Sequence, residues 1–198
     1  MRSNRVVLLA APLLVSAYGI LRLAGRADGA YGPGLDWQLA HLAGLAGMVL
    51  FVPLVLALAR LLPRTPWRTG TVGVALVGLL CTMVQFGADI VEGLLAADKA
   101  EMRSLSQQFH DIPGVSLAFY DVGPQLFFLG LLTLTVMLAV ARRSPWWSPV
   151  LMITGIVLPV ATLDLMPLAG LLMLAALWPA GTAQGWTLRQ SSSKAMLS

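Results

Sequence analysis

The chain has 198 residues, 58% of them hydrophobic and only 11% charged, with a mean hydropathy of +0.80. Soluble domains are roughly half apolar and about a quarter charged, so this composition excludes an ordinary water-soluble globule and is that of an integral membrane protein. The net charge of +4 comes from basic residues scattered between apolar blocks rather than gathered in one patch, which argues against a nucleic-acid partner.

Five apolar stretches, at 6–24, 37–62, 71–97, 115–141 and 147–178, each supply the length that a span requires, about 20 residues. The expected fold is all-α: one bundle of five transmembrane helices over residues 1–180, followed by a flexible polar tail at 181–198. In the first stretch Arg2 and Arg5 precede an apolar core and small residues follow near Ala24, so residues 1–27 also fit a signal peptide, although the run is longer than such a core needs. The second stretch begins at Trp37, an interfacial type of residue, and carries His41 one turn further in. Its Gly44 and Gly47, with Gly73 and Gly78 of the third stretch, read as close-packing positions between helices.

The third stretch ends in "QFGADIVEGLL" and carries Gln85, Asp89 and Glu92. Its twelve Val, Leu, Ile and Phe residues favour insertion by about 4 to 7 kcal/mol in all, whereas each acid at a helix centre costs about 2.5 to 3.5 kcal/mol. The acids must therefore lie off-centre, be protonated, or face a polar interior. Steps of four and three residues put Gln85, Asp89 and Glu92 on one helical face, which should look into the bundle. The connection that follows, "DKAEMRSLSQQFHDIPG" at 98–114, spaces Met102, Leu105, Phe109 and Ile112 as one face of a short amphipathic helix on the membrane surface. It reads equally as a structural loop or as a lid over a site beneath it.

The fourth stretch opens with "FYDVGPQLFF", which holds Tyr120, Asp121 and Gln125. The fifth is longer than one span needs and contains Pro149, Pro159 and Pro167, each lacking a backbone donor. A kinked helix is expected there, with a break into two shorter pieces as the alternative. Its "LPVATLDLMP" carries Asp164 between two prolines. Cys81, the sole cysteine, permits no intrachain disulfide.

Basic residues set the orientation. Arg2, Arg5, Arg60, Arg64, Arg68, Arg142 and Arg143 share one side without acids among them. Arg22, Arg26, Lys99, Arg103, Arg189 and Lys194 fall on the other, mixed with acids, which places the N-terminus inside and the C-terminus outside a cell membrane. Counting depth along each span then puts His41, Gln85, Asp89, Glu92, Tyr120, Asp121, Gln125 and Asp164 in the same half of the bilayer, whichever way the protein is inserted. The other half is almost purely apolar. The sequence thus describes a bundle dry at one end with a polar pocket at the other, some of whose acids are expected to be neutral proton donors. Plainer readings exist for single members: Asp121 as a helix cap, Glu92 as a side chain snorkelling to the headgroups.

Acid catalysis on a lipophilic substrate fits this set. An alkene is a poor base, so its protonation needs a neutral carboxylic acid in a water-poor pocket, and the cation that forms needs aromatic faces. Asp89, Glu92, Asp121 and Asp164, with His41, are the candidate catalytic groups. Trp37, Gln85, Phe86, Phe119, Tyr120, Gln125, Phe127 and Phe128 are the candidate substrate-binding residues, because they flank or adjoin the acids.

In its five-helix size and its buried acids, including "GADIVEG" at 87–93 and "FYDVGPQ" at 119–125, the chain resembles small bacterial integral-membrane terpene cyclases. That resemblance implies cyclisation of an isoprenoid chain initiated by protonation, without a metal or other cofactor. No aspartate-rich motif for ionising a diphosphate is present. A proton- or cation-linked transporter would also use buried acids but needs a polar path to both sides; an accessory membrane subunit leaves the polar set without a role. One bundle histidine and no cysteine pair disfavour a transition metal, while a hard cation such as Mg²⁺ stays an open alternative. The expected partners are the bilayer and a lipophilic small molecule.

Overall fold

The computed structural model describes the backbone of residues 2–27, 29 and 31–195 and the side chains of 9–27, 29 and 31–181. Along the chain it places α1 (Arg2–Arg26), α2 (Leu35–Ala59), α3 (Pro66–Leu95), α4 (Lys99–His110), a π-helical segment (Ser116–Val122) continuing into α5 (Gly123–Val140), α6 (Trp147–Ala161), a 3₁₀ turn (Leu163–Leu165) and α7 (Met166–Ala195). The described residues contain no strand. By length and composition, four helical segments can cross a membrane: Leu35–Ala59, Pro66–Leu95, Ser116–Val140 and Leu163–Gly181. Trp147–Ala161 is apolar but shorter, and at about 1.5 Å per residue it reaches only part of the way across. The polar tail expected at 181–198 lies past the last described side chain, although the backbone of α7 is helical to Ala195.

Local sequence explains where the helices begin. Thr65 caps α3, its hydroxyl accepting from the Arg68 amide at 3.2 Å, and Pro66 fills the first turn, where its missing N–H is not needed. Asp98 caps α4 by accepting from the amides of Ala100 and Glu101, while the Glu101 carboxylate reaches back to the Ala97 amide at 2.8 Å. The expected surface helix therefore forms at Lys99–His110. Ile112, placed on its apolar face by spacing, instead lies beyond the helix end and is exposed.

The fifth apolar stretch is not one kinked helix. Residues 147–178 fold into an antiparallel hairpin, the alternative named above. Pro159 offers no N–H to hold the last turn of α6, Thr162 is extended, and its hydroxyl accepts from the Asp164 amide at 3.2 Å to start the 3₁₀ turn. Gly155 of α6 then faces Ala169, Leu172 and Met173 of α7. α7 also runs antiparallel to α1: Asp164 meets Arg26, Pro167 meets Gly19, and Gly170 meets Ser16 and Pro12. The start of α1 and the end of α7 thus lie at the same end of the bundle.

Six helices close a ring in which α1 packs between α2 and α7, α2 beside α3, α3 beside α5, α5 beside α6, and α6 beside α7. Its interior is filled by Phe51, Leu54 and Leu58 of α2, Leu79 of α3, Phe127, Leu131 and Leu134 of α5, Met152 of α6, and Met173 and Leu177 of α7. The rings of Phe51 and Phe127 meet edge to face at 5.0 Å. Glycine lets α3 and α5 approach backbone to backbone, since a side-chain carbon at Gly78 would collide with the main chain of Phe127 and Gly123. Gly73, one face away, has open space where a Cβ would be. Gly78→Ala should therefore destabilise the protein by about 1 to 3 kcal/mol through overpacking, whereas Gly73→Ala should be neutral or gain up to about 1 kcal/mol. Unfolding of the two variants in detergent checks this contrast.

Candidate functional site

Asp89 lies on α3 three turns after Gly78, on the face turned toward α2. Two indole and amide donors from α2 fix the backbone there: Trp37 Nε1 donates to the Asp89 carbonyl at 2.8 Å, and Gln38 Nε2 donates to the Ile90 carbonyl at 3.1 Å. The side chain of Asp89 is then flanked on both sides. His41 Nε2 stands 3.8 Å from Oδ2, and the Tyr120 hydroxyl donates to Oδ1 at 3.4 Å. The His41 contact is at ion-pair range, and a closure of roughly 1 Å would make it a hydrogen bond.

His41 itself is 3% exposed, and its Nδ1 lies 2.8 Å from the Trp37 carbonyl one turn earlier. A carbonyl only accepts, so Nδ1 carries the hydrogen and, in the neutral ring, Nε2 is left as the basic nitrogen facing the acid. Aromatic rings wall this pair. Trp37 stacks on His41 with centroids 4.0 Å apart, while Tyr18 of α1 and Phe86 of α3 meet it at 5.5 and 5.9 Å. Tyr18 also meets Phe86 edge to face at 5.4 Å. Phe86 can reach this position because Gly44 leaves room for its ring.

One turn along α3, Glu92 is 7% exposed, so it is buried rather than snorkelling. Its polar neighbours, Ser106 and His110, come from α4. His110 repeats the His41 pattern, with Nδ1 held 2.8 Å from the Ser106 carbonyl and its ring 4.1 Å from that of Tyr120. Tyr120 therefore touches both Asp89, through its hydroxyl, and His110, through its ring. Above them, Tyr31 in the loop between α1 and α2 packs on Trp37 at 5.1 Å, and its buried hydroxyl has no partner. Burial pushes the Tyr31 hydroxyl above its usual range, with Tyr18 adding to the effect, so it stays neutral. Lys99 of α4 donates to the Gly29 carbonyl at 3.0 Å, tying α4 to the same loop.

Of the residues singled out from the sequence, His41, Asp89, Tyr120, Trp37 and Phe86 come together, with Glu92 beside them. Gln85 is half-buried on the same face of α3. The others are elsewhere. Asp164 sits at the α6–α7 turn, half-exposed, where Arg22 and Arg26 of α1 bind its carboxylate at 3.3 and 2.5 Å. It is a tether between α1 and the hairpin. Asp121 and Gln125 are exposed on the outer face of the fourth span. Phe127 and Phe128 belong to the apolar core beside Phe51, and Phe119 is half-buried on the π-helical segment without joining the aromatic wall. The physical reason is helical phase: Tyr120 shares a face with Phe127 and Leu131, whereas Asp121 shares one with Gln125, pointing away.

Tyr18, Tyr31, Ser106 and His110 complete the surroundings of the site and lie outside the set that the sequence singles out. Tyr18 lies at the depth of His41 when counted along an outward-running α1, and His110 follows Phe109 on the apolar side of α4, so both carried a signal. Among the described residues no group of three or more His, Cys, Asp or Glu is arranged to hold a metal ion. The chain matches no protein-family model, no curated protein and no solved structure. Nitrogen NMR of histidine-labelled protein should find His41 protonated at Nδ1 whenever the ring is neutral. A neutral ring protonated at Nε2 instead would contradict this geometry.

Proposed function

We infer that the chain is a multi-pass cell-membrane enzyme that protonates an alkene of a lipophilic isoprenoid substrate and releases a cyclic isomer. The observation that carries this reading is the Asp89 carboxyl, set between His41 and Tyr120 inside a wall of aromatic rings. Asp89 transfers its proton to an alkene carbon, the cation closes on a second alkene, and a proton lost from a neighbouring carbon returns through His41 Nε2 to the carboxylate. No atom is gained or lost overall. Tyr18, Trp37 and Phe86 offer faces to the intermediate cation, and Tyr120 holds the carboxylate by its hydroxyl. This is the reaction class that the terpene-cyclase resemblance implies, with the candidate acid narrowed from four residues to Asp89 and, next to it, Glu92.

Transport is less well supported. A path for ions needs polar groups through the whole bundle, yet Phe51, Leu54, Leu58, Leu79, Phe127, Leu131 and Leu134 are all fully buried across the other half.

Charge supports an orientation as well. With α6 and α7 as a hairpin, the chain returns to the side on which it began, giving six helices in the membrane rather than five. Arg189 and Lys194, near the end of α7, then join Arg2, Arg5, Arg60, Arg64, Arg68, Arg142 and Arg143, leaving Arg22, Arg26, Lys99 and Arg103 opposite. That asymmetry supports both termini in the cytoplasm. A fluorescent protein fused to the C-terminus should fluoresce and an alkaline phosphatase fusion should be inactive; the reverse pattern contradicts the hairpin topology.

Purified protein given farnesyl- or geranylgeranyl-bearing lipids should form isomeric cyclic products. Asp89→Asn should cut turnover by about 10²- to 10⁴-fold, while Asp121→Asn and Asp164→Asn should turn over within a few-fold of the parent. Unchanged turnover in Asp89→Asn would remove the acid from this reading.

A further inference from the structure

The face of α3 adjoining Asp89 lines an open apolar groove of about 390 Å³, closed on its other side by α4. Gly87, Ala88 and Val91 form its α3 wall, Leu105 and Phe109 its α4 wall, and Glu92 its polar end. Glu92 is more than nine-tenths buried, and its Oε1 has no hydrogen-bond partner. An unpaired buried acceptor is unfavourable, and such atoms are regularly satisfied by a ligand or an ordered water. Gly87 adds a second observation. A glycine inside a helix is destabilising relative to alanine, yet a Cβ at Gly87 would meet no side chain or neighbouring helix within 4 Å. Gly87 therefore leaves the α3 wall of the groove open beside Val91.

The geometry points to a binding site for a single-chain lipid alcohol, its hydrocarbon lying along Gly87, Val91 and Leu105 and its hydroxyl donating to Glu92 Oε1. The volume falls within the roughly 300–1,000 Å³ of small-molecule sites. A plain acyl chain fits the walls but leaves the oxygen unpaired. A carboxylate head brings a second acceptor to the one already there, and an ammonium head brings an ion into an apolar groove at a desolvation cost that a hydroxyl does not carry. Ser106 and His110 lie beside the same carboxyl and make the head-group end of the groove polar. The site stands independently of the proton chemistry assigned to Asp89.

The test is photolabelling of the full chain in phosphatidylcholine nanodiscs with four diazirine probes of one chain length, ending in hydroxyl, ammonium, carboxylate or methyl. In the unmodified protein the hydroxyl probe should label the 84–95 and 99–110 segments about fivefold more than the methyl probe, the ratio expected of one net hydrogen bond. Both other heads should label less than the hydroxyl probe. Gly87→Leu should abolish labelling of these segments, and Glu92→Met should lower the hydroxyl probe to the methyl level. Equal labelling by hydroxyl and methyl probes, stronger labelling by the ammonium probe, or retention of hydroxyl labelling in Glu92→Met overturns the proposal. The four-probe comparison requires no substitution, and it reads binding alone, so its failure is distinct from failure of the cyclisation assay.

Discussion

The carboxyl of Asp89 has to be tolerated inside a helical bundle with little water around it, and much of the surrounding structure follows from that constraint. A lone acid at the centre of a span costs as much as several leucines gain. Here it is met by an imidazole from α2 and a phenol from the π-helical segment, and the backbone beside it is pinned by the Trp37 indole and the Gln38 amide. Each partner brings its own requirement. His41 needs the Trp37 carbonyl to set its tautomer, Phe86 needs Gly44 to admit its ring, and Tyr120 needs a helical phase that turns it inward while its neighbour Asp121 turns out. The dry half of the bundle serves the same end by giving the ring of helices a rigid base of interlocked Phe and Leu side chains.

Polar groups at the rim act differently. The Arg22–Asp164 and Arg26–Asp164 pairs are partly exposed, so each contributes at most about 1 kcal/mol. Their value lies in register: they fix the hairpin turn against the last turns of α1 and so hold Tyr18 beside His41. Lys99 and Tyr31 do the same for the loop between α1 and α2. The site is thus assembled from α1, α2, α3, α4 and the π-helical segment, which explains why no short stretch of sequence carries it.

Depth was legible in the sequence and azimuth largely was not. Counting residues from the ends of the apolar runs put His41, Asp89, Glu92 and Tyr120 at one level, because 1.5 Å per residue is a reliable ruler. Choosing which residues at that level face inward needs the phase of each helix. On α3 the step pattern of Gln85, Asp89 and Glu92 supplied it. On the fourth span depth without phase groups Asp121, Gln125, Phe127 and Phe128 with Tyr120, although only Tyr120 reaches Asp89. The fifth stretch shows another limit. Three prolines mark a break, but whether the chain bends or reverses there is decided by Thr162, whose extended backbone and hydroxyl cap turn α6 back into α7. Reversal is a tertiary outcome, paid for by the packing of Gly155 against Ala169 and of α7 against α1.

Asp89 as the group that delivers a proton is the central claim, and deuterium tests it most directly. A single turnover of protein equilibrated in D₂O should give a product one mass unit heavier than that formed in H₂O, with the label at a single carbon, and Asp89→Asn should slow its formation by about 10²- to 10⁴-fold. A cyclic product without deuterium, or the same labelled product formed by Asp89→Asn at the parent rate, would contradict the account.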